Sequence, residues 1–313
     1  MTRIAYLGPE GTFTEAALRQ ITAAGLVPGP GGEVQPSPVE STSAALDAVR
    51  DGAADYACVP IENSIDGSVT PTLDSLAIGS PLQVFAETTL DVAFSIVVKP
   101  GRSAAEVRTL AAFGVAAAQV RQWVAANLAD AKLRPAYSNA DAAQQVAEGH
   151  VDAAVTSPLA ATRWGLDTLA GGVVDEPNAR TRFLLVGRPG PPPARTGADR
   201  TSVVLSIDNA PGALLAALAE FGVRGIDLTR IESRPTRTGL GTYRFFADCV
   251  GHIDDDAVAE ALKALHRRCA DVRYLGSWPT GSPAGALPPS ADEGARWLAR
   301  LRGGTPDERG SRA

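Results

Sequence analysis

The loop Gly8-Pro9-Glu10-Gly11-Thr12-Phe13 joins a short apolar run, residues 4–7, to a stretch of helical spacing, residues 14–24. Thr12 stands three residues before Glu15, the spacing of a capping box, which makes Thr12 the expected N-cap. Gly8 and Gly11 let a ligand come close to the backbone, and a helix N-terminus draws anions, so the loop can hold a carboxylate. The plainer alternative is a tight turn with a good cap, and the residues alone leave both open. The loop lacks the Gly-Lys-Ser/Thr of a nucleotide phosphate loop and the glycine spacing of a dinucleotide fingerprint. A second polar pair, Asn63 and Ser64, follows the apolar run 56–59, where loops tend to carry function. The same pair also fits an Asx- or Ser-type turn. His266 and Cys269 sit on an amphipathic helical stretch with no partner pair and are read as structural. His150 and His252 are isolated, so neither a Ser/His/Asp triad nor a metal site is expected.

These residues need a scaffold. Before residue 188, short apolar runs (4–7, 56–59, 152–155 and 181–186) alternate with helical stretches (14–24, 43–50, 115–127 and 141–148). Residues 84–98 read as one long extended segment interrupted at 87–91. That alternation predicts α/β layers with mostly parallel strand pairing. Residues 188–200, with three consecutive prolines, read as an extended semi-rigid spacer between domains spanning 1–187 and 201–278. After it the order is strand 201–207, helix 211–221, strands 226–233 and 243–250, helix 255–268 and strand 272–277. This is the β-α-β-β-α-β of a ferredoxin-like unit. Residues 279–313 form a weakly patterned tail, with a short amphipathic helix expected at 295–301 and a polar, frayed end from 303.

The bulk numbers agree. A chain of 313 residues favours two domains, and 45% hydrophobic with only 5% aromatic residues calls for a core of Ala, Val and Leu. The net charge of -6, with scattered basic residues, argues against nucleic acid or an anionic membrane as partner. No signal-peptide pattern opens the chain, and the most apolar stretch, 92–98, is too short to span a bilayer. Three cysteines without paired spacing suggest reduced thiols and a cytoplasmic protein.

The segment Leu7-Gly8-Pro9-Glu10-Gly11-Thr12-Phe13-Thr14-Glu15-Ala16-Ala17 resembles the opening motif of prephenate dehydratases. Val59-Pro60-Ile61-Glu62-Asn63-Ser64-Ile65-Asp66-Gly67-Ser68-Val69 resembles that family's Pro-Ile-Glu-Asn-Ser segment, and Thr181-Arg182-Phe183 its Thr-Arg-Phe signature. The motifs occur in family order, and the resemblance runs from about residue 3 to Gly187. It implies a two-lobed catalytic domain like periplasmic binding proteins, working without cofactor or metal. The implied reaction removes the ring hydroxyl and carbon dioxide from prephenate, giving phenylpyruvate for L-phenylalanine biosynthesis.

By the same resemblance Thr181 is the residue essential to dehydration, and Gly11, Thr12, Asn63, Ser64, Gln119, Arg182 and Phe183 contact substrate. A threonine hydroxyl is a poor general acid, so the physical role for Thr181 is a positioned hydrogen bond to the departing hydroxyl. Glu62 offers either an acid or a structural hydrogen-bonding group, and the structural role is preferred. Strand alternation puts Arg182 on the face opposite Thr181 and Phe183. Arg182 therefore reaches the substrate only if the strand bends, or else makes a supporting ion pair. Where many members read Ser-His-Pro-Gln, this chain has Ala112-Phe113-Gly114-Val115, while the later glutamine persists as Gln119.

Behind the spacer, Asp208-Asn209-Ala210-Pro211 places a capping residue ahead of a proline suited to a first helical turn. Glu232-Ser233-Arg234-Pro235 ends a strand with a charged pair and a proline. Residues 200–277 resemble ACT domains attached to prephenate dehydratases. The implied effector contacts for phenylalanine are Asn209, Pro211, Gly212, Ala213 and Leu214 with Glu232, Ser233, Arg234 and Pro235, at an interface between paired domains. A homodimer or homotetramer under feedback control follows from that resemblance. Arogenate dehydratase and a non-catalytic amino-acid sensor are the competing readings. Only residues 1–3 precede the first strand and the tail is short, so a chain without a fused chorismate mutase is expected.

Overall fold

A computed structural model describes residues 1–29, 33–239, 241–282, 284–288 and 292–304, so parts of the expected tail, including 305–313, lie outside the described residues. The chain forms two compact units, residues 1–190 and 191–313.

The first unit has two lobes. β1 (Thr2–Leu7), α1 (Phe13–Ala23), β2 (Val34–Val39), α2 (Thr42–Arg50), β3 (Tyr56–Asn63), β4 (Gly67–Ser68), α3 (Thr70–Ala77) and β5 (Gln83–Asp91) build the first. The chain then crosses into β6 (Phe94–Val98), β7 (Thr109–Ala112), α4 (Gly114–Gln119), α5 (Arg121–Asn127), β8 (Lys132–Pro135), α6 (Asn139–Glu148), β9 (Ala153–Thr156), α7 (Pro158–Arg163) and β10 (Asp167–Val173). It returns to the first lobe as β11 (Arg180–Gly187). The sheets run β2-β1-β3-β11-β5, with β4 on β3, and β10-β6-β9-β7-β8.

Pairing departs from the mostly parallel expectation. β1 is parallel to β2 and β3, and β7 to β8 and β9, but β11 is antiparallel to both β3 and β5, and β6 to both β9 and β10. The cause is the double crossing: the chain leaves along β5 and comes back alongside it as β11. The two crossings are themselves tied, Val92 N–H to the Ala179 carbonyl at 2.7 Å and Arg180 to Asp91 at 2.8 Å.

Local physics explains the other differences. β5 runs unbroken through 87–91 because its polar side chains are satisfied: Thr88 accepts from Gln20 at 2.7 Å and Glu87 pairs with Arg182. The stretch 115–127 is two helices, since the Gln119 carbonyl accepts Asp175 N–H at 2.6 Å in place of a helical donor and Val120 turns inward. β2 carries Pro36 and Pro38, which an edge strand tolerates, and so gave no strand signal. α1 buries Thr14, Ala17, Leu18 and Ile21, one helical face, against Ile4, Tyr6, Phe183 and Leu185. It ends at Gly25 (φ +67°), where Leu26 N–H returns to the Ile21 carbonyl. Burying Phe183 alone contributes about 1.5–3 kcal/mol. In the second lobe, Ala140 and Ala143 of α6 meet Ala160 of α7, the close packing that an alanine-rich composition allows.

The second unit contains β12 (Asp199–Ser206), α8 (Ala213–Gly222), β13 (Leu228–Pro235), β14 (Tyr243–Val250), α9 (Asp256–Arg268), β15 (Asp271–Pro279) and α10 (Asp292–Arg302). Its sheet, β13-β14-β12-β15, is antiparallel throughout, with Ala217, Phe221, Val258 and Leu265 of the helices packed on Val203, Leu205 and Ala247. This is the expected ferredoxin-like order.

The Pro-rich stretch is fastened down. Pro193 O accepts from His252 Nε2 at 3.0 Å, and Arg195 pairs with Asp255 at 2.6 Å. Asp254 N–H donates to His252 Nδ1, so the proton of this buried ring sits on Nε2. Asp199 and Arg200 already belong to β12. Among the described residues no helix is long and apolar enough to cross a membrane.

Candidate functional site

Thr12 caps α1 as its spacing predicts: its hydroxyl accepts Glu15 N–H at 3.3 Å and donates to the Leu7 carbonyl at 3.0 Å. Glu15 returns a carboxylate oxygen to Gly11 N–H at 2.6 Å. Ser157, the N-cap of α7, donates to the Gly11 carbonyl at 2.5 Å. Gly11 has φ +91°, and a Cβ there would stand 3.0 Å from Ala160 Cβ. Arg163, also on α7, reaches Glu10 and, at 3.7 Å, Glu15. The loop is thus a seam where the lobes meet, and the polar groups of Gly11 and Thr12 are engaged within the protein. Burial, reinforced by Glu15, pushes the Tyr6 hydroxyl up to about 12. Beside the seam lies an open cavity of about 930 Å³, lined by Pro9, Thr12, Phe113, Asn139, Arg163 and Trp164 among others.

The second cluster forms near the crossings. The register of β3 against β11 sets Asn63 opposite Thr181, and Asn63 Nδ2 donates to Thr181 Oγ1 at 2.8 Å. Asn63 Oδ1 accepts the N–H groups of Ile65 and Asp66 at 2.8 and 3.0 Å. Two backbone donors on Oδ1 fix the amide orientation, because the opposite flip would set N–H against N–H. Thr181 Oγ1 is therefore an acceptor from Asn63 and keeps its own hydrogen for another partner. Ser64 closes the adjoining turn: its N–H donates to the Arg180 carbonyl at 2.8 Å, and its hydroxyl accepts Arg180 N–H at 2.9 Å. Asn63 and Ser64 are hence both turn-formers and neighbours of Thr181.

Arg182 answers the alternation question by pairing with Glu62 at 3.3 Å and Glu87 at 3.4 Å, on the face opposite Thr181. The irregularity in this register lies between Arg182 and Phe183 in their pairing with β3, while β11 against β5 stays regular there. Phe183 is 2% exposed and packs in the core with Ile4, Tyr6 and Leu18. Gln119 comes from the other lobe: 5% exposed at the end of α4, it sends Nε2 to Asp66 Oδ2 at 3.4 Å. Ala112 ends β7 buried, and Phe113 precedes α4 without a side-chain cap. Sequence reasoning missed Asp66, Glu87, Ser157 and Arg163. Only Asp66 carried a signal, as the fourth residue of the turn that Asn63 opens.

The second unit holds the other motif residues. Neither Asp208 nor Asn209 caps α8, and Pro211 is not in its first turn; the N-cap is Gly212, at φ +77°. Ala210 N–H turns back to the Asp208 carbonyl, so the chain makes one more turn before the helix begins. The space where a Gly212 Cβ would stand is open. Ala213 and Leu214, half-buried, start α8. β13 is an edge strand, and its register puts Ser233 opposite Phe245 on the side the helices cover. Ser233 and Pro235 are exposed on that side, while Glu232 and Arg234 alternate to the other face.

Two lobes meeting over a cleft, followed along the chain by a ferredoxin-like unit, make this a two-lobed α/β protein with an appended ferredoxin-like domain. The prephenate dehydratase family model matches residues 4–191, and the ACT domain model matches residues 201–267. A prephenate dehydratase of Mycobacterium avium (strain 104) is 88% identical over 311 residues, 99% of each chain. One from Mycobacterium tuberculosis (strain ATCC 25618 / H37Rv) is 81% identical, over 98% of this chain and 96% of the relative. The crystal structure of prephenate dehydratase from Arthrobacter aurescens, in complex with L-Phe, superposes with a TM-score of 0.85. Its identity is 40%, covering 96% of this chain and 99% of that one. The chain belongs to the prephenate dehydratase family: a hydro-lyase of phenylalanine biosynthesis carrying an ACT domain.

Proposed function

We propose that Thr181 donates its hydrogen bond to the ring hydroxyl of prephenate as that hydroxyl leaves, and that Asn63 sets the direction of the bond. The observation that carries this reading is the Asn63–Thr181 contact, which makes Thr181 Oγ1 an acceptor on one side and a donor on the other. Prephenate is a dianion. Cleavage of its ring carboxylate releases carbon dioxide, and the freed electron pair moves through the ring to expel the hydroxyl. A proton then completes water, and the product is the phenylpyruvate anion. Negative charge builds on the departing oxygen only in the transition state, so a donor fixed there beforehand lowers the barrier selectively. Gly11 and Thr12 serve by holding the α1 N-terminus at the cleft, where its dipole favours the substrate's carboxylates. Arg182 and Phe183 act from beneath, one by pairing Glu62 and Glu87, the other by fixing β11 against α1.

We assign the lyase to residues 1–187 and the sensor to 201–278, with L-phenylalanine as feedback effector. The open approach to Gly212 and the exposed Ser233 and Pro235 on one side of an edge strand support a site completed by a paired domain, in a homodimer or homotetramer. The L-Phe held by the Arthrobacter relative supports the effector's identity. We place the protein in the cytoplasm, a reading supported by the free thiols Cys58, Cys249 and Cys269. The test is phenylpyruvate formation from prephenate by the full chain, with and without phenylalanine. Activity on arogenate alone would overturn the substrate assignment.

A further inference from the structure

We propose that Asp66 is a positioning residue for this reaction: it turns Gln119 so that the side-chain oxygen Oε1 of Gln119 accepts the hydrogen of the substrate's ring hydroxyl. This rests on the Thr181 reading above. Asp66 belongs to the first lobe, where its N–H is held at 3.0 Å by the same Asn63 that orients Thr181. Its carboxylate meets Gln119 Nε2 of the second lobe at 3.4 Å, a long contact of the kind that shortens when a substrate closes a site. A carboxylate can only accept, so the amide must present its NH2 to Asp66. Gln119 Oε1 then faces elsewhere, and it has no hydrogen-bond partner among the described residues although the side chain is 95% buried by its 5% exposure. A buried acceptor without a donor is costly, and a ligand hydrogen brought to it as the lobes close on substrate would remove that cost.

Prephenate narrows the match. It carries two carboxylates, a ketone and one hydroxyl, and only the hydroxyl offers a hydrogen. Gln119 Oε1 therefore repels every oxygen of the substrate except that one. The hydroxyl would sit between two groups, its hydrogen toward Gln119 and its oxygen receiving the Thr181 hydrogen. The two contacts act at different stages. The Thr181 bond strengthens as charge develops, whereas the Gln119 bond is made with the intact substrate and disappears with the hydroxyl. Phenylpyruvate lacks the hydrogen, so the same acceptor discriminates against product, as buried polar groups do against analogues that leave them unpaired.

The experiment is steady-state kinetics on the full chain. Asp66→Ala should raise the prephenate KM about five- to tenfold, the scale of one hydrogen bond, with kcat changed by less than about threefold. The inhibition constant of phenylpyruvate should stay within about twofold of the native value. Gln119→Ala should behave alike, and the double variant should be no worse than Gln119→Ala, because Asp66 acts through Gln119. Asp66→Asn keeps an acceptor oxygen and should rescue the KM. An unchanged KM in Asp66→Ala, a parallel rise in the phenylpyruvate constant, or multiplicative losses in the double variant would each overturn the inference. Failure of the underlying reading would show elsewhere, as near-native kcat in Thr181→Ala.

Discussion

The Thr181 cluster and the Gly212–Ser233 region are built on opposite principles. Around Thr181 nearly every polar group already has its partner within the unit: Asn63 serves Thr181 and two backbone N–H groups, and Ser64 serves Arg180. Around Gly212 the helix begins without a side-chain cap, the space above the glycine is open, and Ser233 and Pro235 lie exposed. The first arrangement suits a reaction, where donors must be in place before charge appears. The second suits a sensor, whose ligand must change the energy of one state relative to another. On the assignments proposed above, rigidity at one site and incompleteness at the other match the two tasks.

The strongest way to break the comparison is Thr181→Ala. Removing one preorganised donor should lower kcat about a hundredfold or more with the fold intact, checked by circular dichroism and turnover. Near-native turnover would mean the wiring around Thr181 is purely structural. Asn63→Asp is the sharper variant. An aspartate offers only acceptors, so the Thr181 hydrogen turns toward it and away from the substrate. Its kcat should fall about as far as that of Thr181→Ala, although every backbone bond to the side chain survives. A loss of only a few-fold would show that Asn63 does not set the direction of the threonine hydroxyl.

On the sensor side, Gly212→Ala and Ser233→Ala should raise the phenylalanine concentration for half-inhibition about tenfold while kcat stays within about twofold. Gly212 sits at positive φ, so alanine there adds modest strain, but nothing occupies the space its methyl would take. Unchanged inhibition in both variants would move the effector site elsewhere. Equal losses of catalysis and inhibition would erase the distinction drawn between the two regions.

How much of this was legible beforehand follows from what each residue's neighbours are. The α1 cap was legible because Thr12 and Glu15 act locally, and the ferredoxin-like unit because its strands and helices keep their periods. The motifs brought Asn63 and Thr181 together, but the direction of their hydrogen bond needed the backbone N–H groups of Ile65 and Asp66 in place. The Arg182 ion pair was one of two open alternatives and was decided by Glu87, a residue of another strand. The parallel expectation failed because alternation of strands and helices does not reveal that the chain leaves and re-enters the first lobe side by side. The cap of α8 was misplaced because Asp208 and Asn209 suited a helix that begins later. The Pro-rich spacer concealed its anchors, since His252 and Asp255 lie far along the sequence.

The smallest expected effect tests whether the two units also differ in their response to phenylalanine. Burial pushes the Cys58 thiol well up, and it pushes Cys249 up to about 12. Neither thiol forms thiolate near pH 8 while its unit is closed, so labelling of either reports opening. Cys269, half-buried and also raised by burial, should react first. Cys58 lies in the first lobe beneath α1, and Cys249 lies on β14 beneath α8, the helix that begins at Gly212. A ligand held by the second unit slows its opening by mass action and leaves local openings of the first unit unchanged. Phenylalanine at ten times its half-saturating concentration should slow Cys249 alkylation about tenfold, read by mass spectrometry of the labelled peptides, with Cys58 unchanged. Equal slowing at both would mean that the units open together and that the contrast between them is one of chemistry alone. No slowing at Cys249 would mean that the effector does not stabilise the sheet that carries its motifs.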